Sequence, residues 1–144
     1  MSRRPISLWW AVGYLAVVVF VTLGPTLWRT RPALDIDIFS PAVWLDPATW
    51  ARLDTLEFGA NVVLFVPLGM LVRLALPRAT WVGSFVLAAG VSGVIEVVQL
   101  VTPRVADPRD LVANAVGSLV GALVGTVVAR VFSGAPDRVL HRVS

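Results

Sequence analysis

Long apolar runs alternate with polar segments along this chain. Four runs of about 20 residues lie at residues 8–28, 57–76, 80–101 and 110–132. A helix that crosses the hydrocarbon core of a membrane needs roughly 20 mostly apolar residues. The pattern therefore predicts an all-α fold, a polytopic membrane bundle of four transmembrane helices, with residues 1–144 forming a single membrane domain.

The longest polar segment, residues 30–55, separates the first run from the second. Within it, Asp46 followed by Pro47 is typical of a helix N-cap followed by proline at the first helical position. We expect a short helix near 47–55 that lies in the membrane interface. An ordinary surface loop is the alternative.

Polar residues gather where three of the predicted helices begin or end. They are Glu57 and Asn61 in the second run, Glu96 and Gln99 in the third, Arg104 and Asp107 in the break that follows, and Asp110 and Asn114 in the fourth. Successive membrane helices run in opposite directions, so these ends reach the same side of the membrane. We therefore expect the eight residues to form one polar cluster near that surface.

An ionisable side chain inside a membrane is costly, by roughly 2.5 to 10 kcal/mol or more. Glu96 must therefore face the bundle or a wet cavity, where it is paired, hydrogen-bonded or protonated. Three uses of the cluster stay open at this point. It could hold the third and fourth helices together, with Glu96 and Gln99 hydrogen-bonded to Asn114. It could bind a ligand or catalyse a reaction, or it could relay protons or ions.

Two parts of the cluster have simpler structural explanations. Asp107 precedes Pro108, and Asp110 lies in the first turn of the fourth helix, where the helix dipole favours an acid. Both aspartates could therefore serve as helix caps. Arg104 could extend to a lipid phosphate, or it could neutralise Glu96 or an anionic ligand.

Small residues mark the faces on which the helices pack. Gly117 and Gly121 are four residues apart in the fourth run, the small-xxx-small spacing of membrane helix contacts. Gly69 in the second run and Gly93 in the third lie on faces that also carry other small or polar residues. We expect all four glycines to pack helices within the chain, with a homo-oligomer as the alternative.

The composition of the chain also indicates a membrane protein and not a soluble one. The chain is 57% hydrophobic and only 15% charged, whereas soluble domains average about 45–50% and about 25%. The absence of cysteine and the single histidine, His141, exclude disulfides, thiolate metal sites and histidine-based triads. We expect no cofactor and no resident metal, although carboxylates with amides could hold a hard divalent cation. No basic face is present, so the expected partner is the lipid bilayer and not nucleic acid.

Arginines are unevenly distributed between the two sides of the predicted bundle. The two termini and the second turn hold seven arginines and one acid, against five arginines on the other side. The positive-inside rule therefore places both termini in the cytoplasm. We expect a multi-pass protein of the bacterial cell membrane with the polar cluster on the extracytoplasmic side.

Three segments, ANVVLFVPLG, SGVIEVVQL and RVADPRDLVANAVGSLVG, resemble the VanZ-like family of bacterial membrane proteins. The matching positions are Asn61, Phe65, Pro67 and Gly69, then Ser92, Glu96 and Gln99, then Arg104, Asp107, Asp110, Asn114 and Gly117. The resemblance covers residues 55–132. The founding member of that family is associated with low-level resistance to the glycopeptide teicoplanin. The resemblance thus implies a role at the cell envelope, in glycopeptide resistance or envelope maintenance, but no particular reaction.

Two functional hypotheses follow. The favoured one is a non-catalytic envelope protein that binds a glycopeptide or a lipid-linked wall precursor through the polar cluster. The second is a small intramembrane enzyme acting on a lipid or lipid-linked precursor, with Glu96, Asp107 and Asp110 as candidate catalytic carboxylates in acid/base or metal chemistry. The sequence contains no phosphate-binding loop, zinc-protease motif or nucleophile elbow that would favour the enzyme.

Overall fold

The structure is a computed structural model, and it describes residues 4–23, 40–51, 55–99 and 107–133. These residues form six helices: α1 (Arg4–Leu23), α2 (Pro41–Leu45), α3 (Pro47–Ala51), α4 (Thr55–Ala75), α5 (Trp81–Gln99) and α6 (Pro108–Ser133). Four helices are long, while α2 and α3 have five residues each.

The four long helices are membrane helices, which confirms the predicted fold class. Helices α4, α5 and α6 are long and apolar enough to cross a bilayer, with mean hydropathies of 1.8, 1.8 and 2.0, and α1 contains a shorter apolar stretch, Ser7–Leu23. Large apolar side chains such as Trp9, Val63 and Phe132 point outwards on these helices. Such exposure suits a protein surrounded by lipid, because lipid tails are as apolar as these side chains.

The helix boundaries differ from the predicted ones by a few residues. Helix α1 begins at Arg4, four residues before the predicted start, and its predicted end at residue 28 lies outside the described part of the chain. Helices α4 and α6 each begin two residues earlier than predicted. The physical reason is that polar residues suit the first turn of a helix, where backbone N–H groups need partners. The apolar pattern alone therefore places these starts too late.

The polar segment before α4 contains two short helices where one was predicted. Helix α3 starts as expected, because Oδ1 of Asp46 accepts a hydrogen bond of 2.8 Å from the backbone N–H of Ala48. Helix α2 was not anticipated. The indole N–H of Trp50 donates to the carbonyl oxygen of Trp44 at 3.0 Å, and the centroids of the two rings are 6.4 Å apart. These contacts join α2 and α3 into an aromatic hairpin, and residues 52–54 of the predicted helix lie outside the described residues.

Successive membrane helices run in opposite directions and give the bundle two distinct ends. The end that contains the last residues of α1 and α5 and the first residues of α4 and α6 is called the polar end here. Gln99 shows this meeting of helices directly, because its side-chain amide donates to the carbonyl oxygen of Thr22 at 3.2 Å. The opposite end, called the turn end, contains residues 76–80 between α4 and α5.

Helices α4 and α6 form the most extensive helix–helix contact of the described chain. Their backbones touch at glycines of both helices. A Cβ atom added at Gly121 would lie 2.8 Å from the backbone nitrogen of Met70, and one at Gly125 would lie 2.9 Å from the Met70 carbonyl oxygen. A Cβ at Gly69 would in turn collide with the carbonyl oxygen of Ser118, and one at Gly117 with that of Val62. The glycine stripe of α6 therefore faces α4 of the same chain.

Gly93 has different surroundings from Gly69, Gly117 and Gly121, the glycines that were predicted to share its packing role. Apart from its chain neighbours and the adjacent backbone of its own helix, no atom of the described residues lies within 4 Å of the position that its Cβ would take. The reason is its orientation on α5, where it borders an open groove and not the backbone of a neighbouring helix.

A small apolar core joins α1, α4 and α5. Its buried members are Val18 of α1, Phe65 and Leu68 of α4, and Ala88 and Ile95 of α5. These residues pack the middle of α4 against α1 and α5.

Candidate functional site

Asp107 organises the start of α6. Its Oδ1 accepts a hydrogen bond of 2.9 Å from the backbone N–H of Arg109, and Pro108 between them is the first residue of the helix. This is the geometry of an N-cap. The same carboxylate pairs with the guanidinium of Arg109, whose Nε lies 2.9 and 3.0 Å from the two oxygens and whose Nη2 also contacts Oδ2. Asp107 thus acts as a helix cap and as an ion-pair partner.

Glu96 connects the end of α5 to the start of α6. Its Oε2 accepts a hydrogen bond of 3.3 Å from the backbone N–H of Asp107, and the residue is only 3% exposed. A buried carboxyl group needs such donors, because an apolar surrounding does not solvate it. The hairpin between α5 and α6 is therefore held by Glu96 through the backbone.

Asn61 and Asp110 connect α4 to α6. The side-chain amide of Asn61 donates to Oδ1 of Asp110 at 2.7 Å. Both residues lie about two turns or less from the start of their helix, so this contact forms at the polar end. It stands next to the pair of Asp107 and Arg109, since Asp110 directly follows Arg109 in the chain.

Asn114 connects α6 to α5 one turn deeper in the bundle. Its Nδ2 donates to Oγ of Ser92 at 2.9 Å. Among the described residues, Asn114 forms no hydrogen bond to Glu96 or Gln99, the pairing predicted as one use of the cluster. Glu96 accepts from Asp107, and Gln99 donates to Thr22. Oδ1 of Asn114 and Oγ of Ser118 are buried and have no hydrogen-bond partner among the described residues.

The remaining members of the predicted cluster occupy different positions. Glu57 is exposed in the first turn of α4 and lies within electrostatic range of Asp110 and Arg109. Gln99 turns away from α6 towards α1. Arg104 lies outside the described residues. The described part of the polar end therefore joins α4, α5 and α6 through five of the predicted residues: Asn61, Glu96, Asp107, Asp110 and Asn114.

Three residues at this end were not among the predicted site residues. Arg109 is the cation that pairs with Asp107, and its position between two aspartates was an available signal. Ser92 accepts the hydrogen bond from Asn114, and its place four residues before Glu96 puts both on one face of α5. Thr22 contributes only a carbonyl oxygen, a contact for which the sequence contains no signal.

The arrangement offers acidic oxygens and amide groups where the apolar helices end. Acidic side chains outnumber basic ones, with Glu57, Glu96, Asp107 and Asp110 against Arg109 in the described region. These groups can accept hydrogen bonds from a ligand or attract a cationic one. Within the described residues, no three acidic or histidine side chains are grouped closely enough to hold a metal ion.

The helices and their polar end define the class of the protein, a multi-pass helical membrane protein with a hydrogen-bonded cluster between its membrane helices. A family model described as VanZ/LLP1 matches residues 9–130, and the chain belongs to this family. The resemblance noted in the sequence is thereby confirmed. Comparisons with curated proteins and with solved structures gave no significant match.

Proposed function

We propose that this protein acts at the extracytoplasmic face of the bacterial cell membrane, where its polar end binds an envelope ligand. The ligand is a glycopeptide or a lipid-linked wall precursor, and the role is glycopeptide resistance or envelope maintenance. Membership of the VanZ/LLP1 family supports this assignment. This role requires no catalytic step, because a protein that binds such a ligand lowers the concentration of free ligand.

The distribution of arginine supports the orientation. The chain segments at the turn end and the two termini hold seven arginines, including Arg73, Arg78 and Arg130, whereas the segments at the polar end hold five. Loops rich in arginine stay in the cytoplasm. The polar end then faces outwards, which is the side on which wall precursors are assembled into the wall and on which glycopeptides arrive.

The observation that carries the proposal is the convergence of three helices on one polar cluster. Asn61 of α4 meets Asp110 of α6 at 2.7 Å, and Glu96 of α5 meets the backbone of Asp107 at 3.3 Å. Such mutual hydrogen bonds hold polar side chains in fixed positions, so that a ligand binds without having to order them first. The acidic and amide groups match a ligand rich in amide, amine or hydroxyl donors.

Susceptibility of an expressing host tests this function. Expression of the wild-type protein should raise the teicoplanin concentration needed to inhibit growth, and Glu96→Gln and Asp110→Asn should return it to the level of the empty vector. Asp46→Asn is the matched control, because Asp46 is an exposed cap of α3 outside the cluster and asparagine caps helices as well as aspartate. Membrane levels of all variants are compared by immunoblot.

Two outcomes would contradict the proposal. If Glu96→Gln and Asp110→Asn are present at normal levels and protect the host as the wild type does, the cluster is not the site. If the wild type itself leaves teicoplanin susceptibility unchanged, the resistance role is wrong.

An enzyme acting on a lipid or lipid-linked precursor is the second candidate. It is favoured by one observation, the position of the carboxyl groups of Glu96 and Asp107 in one hydrogen-bonded network beside Arg109. Two carboxyl groups in such different surroundings can divide the roles of general acid and general base. Purified wild-type protein in vesicles with a labelled lipid-linked precursor should then form a product that Glu96→Ala does not form. Absence of product with the wild type would exclude this candidate.

A further inference from the structure

An open groove runs along the outward face of α5 and reaches the start of α6. It has a volume of about 460 Å³, within the range of roughly 300–1,000 Å³ that is typical of ligand sites. Its apolar wall consists of Gly90, Gly93, Val94, Val97, Val98 and Leu111, and Glu96 completes the lining. The groove is thus mainly apolar and contains one carboxyl group.

The groove is open to lipid. Val94 and Val97, which line it, are 64% and 52% exposed on a helix that crosses the membrane. From Gly90 to Val98 the helix rises by about 12 Å, close to the thickness of one leaflet, which is about half of the ~30 Å hydrocarbon core. A hydrocarbon chain from the leaflet at the polar end would therefore lie along the groove over most of its depth.

Two glycines create the depression. Among the described residues, nothing lies within 4 Å of the position that a Cβ would take at Gly90 or at Gly93. The missing side chains leave space on the outward face of α5 that no other part of the described chain fills. Side chains added there would fill the groove without disturbing the contact between α4 and α6.

The groove is continuous with the polar cluster. Glu96 lines the groove and also accepts the backbone N–H of Asp107, while Leu111 lines it and directly follows Asp110. Among the described residues at this end of the membrane helices, Glu57, Glu96, Asp107 and Asp110 are acidic, and the basic residue Arg109 is paired with Asp107. The charge at the mouth of the groove therefore favours a head group with a positive charge over a purely anionic one.

We propose that the groove holds one hydrocarbon chain of an amphiphile from the adjacent leaflet, and that the ammonium group of its head lies beside Glu57 and Asp110. This inference rests on the proposed function, since it takes the polar cluster as the binding site and specifies its ligand. It thereby narrows the proposed ligands to those that carry an amine, and it disfavours a wall precursor linked to its lipid through an anionic diphosphate.

Photocrosslinking from vesicles tests the ligand class. The protein is reconstituted in phosphatidylcholine vesicles that contain phosphatidylethanolamine with a diazirine in its acyl chain, or phosphatidylglycerol with the same group at the same mole fraction. After illumination, adducts are located by peptide mass spectrometry. We expect phosphatidylethanolamine adducts to concentrate on residues 90–98 and to exceed phosphatidylglycerol adducts there at least several-fold. Equal yields from the two lipids, or adducts spread evenly over the outward faces of α1 and α5, would overturn the proposal.

Leucine substitutions test the groove itself. Gly93→Leu and Gly90→Leu should each remove most phosphatidylethanolamine adducts from residues 90–98. Gly13→Leu is the matched control, because Gly13 is an exposed glycine of α1 with nothing within 4 Å of its Cβ position among the described residues. It should leave the adducts unchanged. Melting temperatures of all three variants establish that they are folded, and a folded Gly93→Leu variant with wild-type adducts contradicts the proposal.

A second copy of the chain is the other occupant that could fill the groove. The chain contains no cysteine, so a Val94→Cys variant has a single thiol. A disulfide between two copies of this variant would show that they meet at the groove. Disulfide-linked dimers of the variant in native membranes would overturn the lipid assignment, and a monomeric variant that still forms adducts supports it. If the crosslinking experiments fail while Glu96→Gln still loses protection against teicoplanin, the lipid assignment of the groove is wrong and the proposed function stands.

Discussion

At the scale of single residues, Asn114 shows how the bundle holds buried polar groups. Its Nδ2 donates to Oγ of Ser92 at 2.9 Å, while its Oδ1 has no hydrogen-bond partner among the described residues. One turn further along α6, the buried hydroxyl of Ser118 also lacks a partner there. Ser92 and Ser118 are both fully buried, yet only Ser92 has a hydrogen bond to lose.

Replacing these two serines by alanine should therefore have unequal effects. Ser92→Ala leaves Nδ2 of Asn114 without its acceptor, and we expect the free energy of unfolding to fall by about 1 kcal/mol. Ser118→Ala removes a buried hydroxyl that has no partner in the described chain, so stability should fall by less than about 0.5 kcal/mol, the low end for one hydrogen bond, or rise. Titration of the purified variants with SDS in mixed micelles measures both values. A larger loss for Ser118→Ala than for Ser92→Ala would contradict the assigned hydrogen bonds.

The sequence predicted which polar residues lie at this end of the bundle better than it predicted their partners. Asp107 and Asp46 cap their helices as expected, because an N-cap depends only on residues close in the chain. The contact of Asn114 with Ser92 depends on how α6 is rotated and shifted against α5. That rotation is set by packing along the whole helix, so no local pattern reveals it.

At the scale of helices, close approach of α4 and α6 dominates the fold. Glycines let the two backbones meet, which strengthens van der Waals contact and takes the place of the hydrophobic effect that lipid cannot supply. The sequence indicated this role for Gly69, Gly117 and Gly121 through their spacing. It could not distinguish them from Gly93, since a glycine beside a helix and a glycine beside a groove look alike in a sequence.

Alanine substitutions separate these two kinds of glycine. Gly121→Ala places a Cβ against the carbonyl oxygen of Val66 and 2.8 Å from the nitrogen of Met70, so it should destabilise the protein by about 1–3 kcal/mol. Gly59→Ala on α4 meets nothing within 4 Å among the described residues, and it should be neutral or stabilising by up to about 1 kcal/mol because alanine favours the helix. The same SDS titration compares the two. Equal stabilities would show that α4 and α6 are further apart than described.

The helices themselves were predictable because a membrane span is encoded by composition over about 20 residues. All four membrane helices were found from their apolar runs. Helix α2 was missed because it lies in the polar segment and has only five residues, too few for a periodic pattern. Its stability comes from contacts such as that between Trp44 and Trp50, which connect residues of two separate helices.

At the scale of the whole molecule, the two ends of the bundle differ in charge. Among the described residues of the membrane helices and the turn, the polar end contains Glu57, Glu96, Asp107, Asp110 and Arg109, whereas the turn end contains Arg73, Arg78 and Arg130 and no acid. The arginine excess supports the proposed cytoplasmic turn end, and the acidic excess supports the proposed preference of the polar end for cationic groups. The proposed orientation and the proposed ligand preference therefore rest on the same charge distribution.

The central claim is that the polar end faces the outside of the cell, where it meets envelope ligands. The chain has no cysteine, so single cysteines report exposure directly. Leu45→Cys, at a residue of α2 that is 81% exposed, marks the polar end, and Pro77→Cys marks the turn end without removing an arginine. A membrane-impermeant maleimide should label the Leu45→Cys variant in intact cells and the Pro77→Cys variant only after permeabilisation. The reverse pattern would place the polar end in the cytoplasm and contradict a role at the outer face.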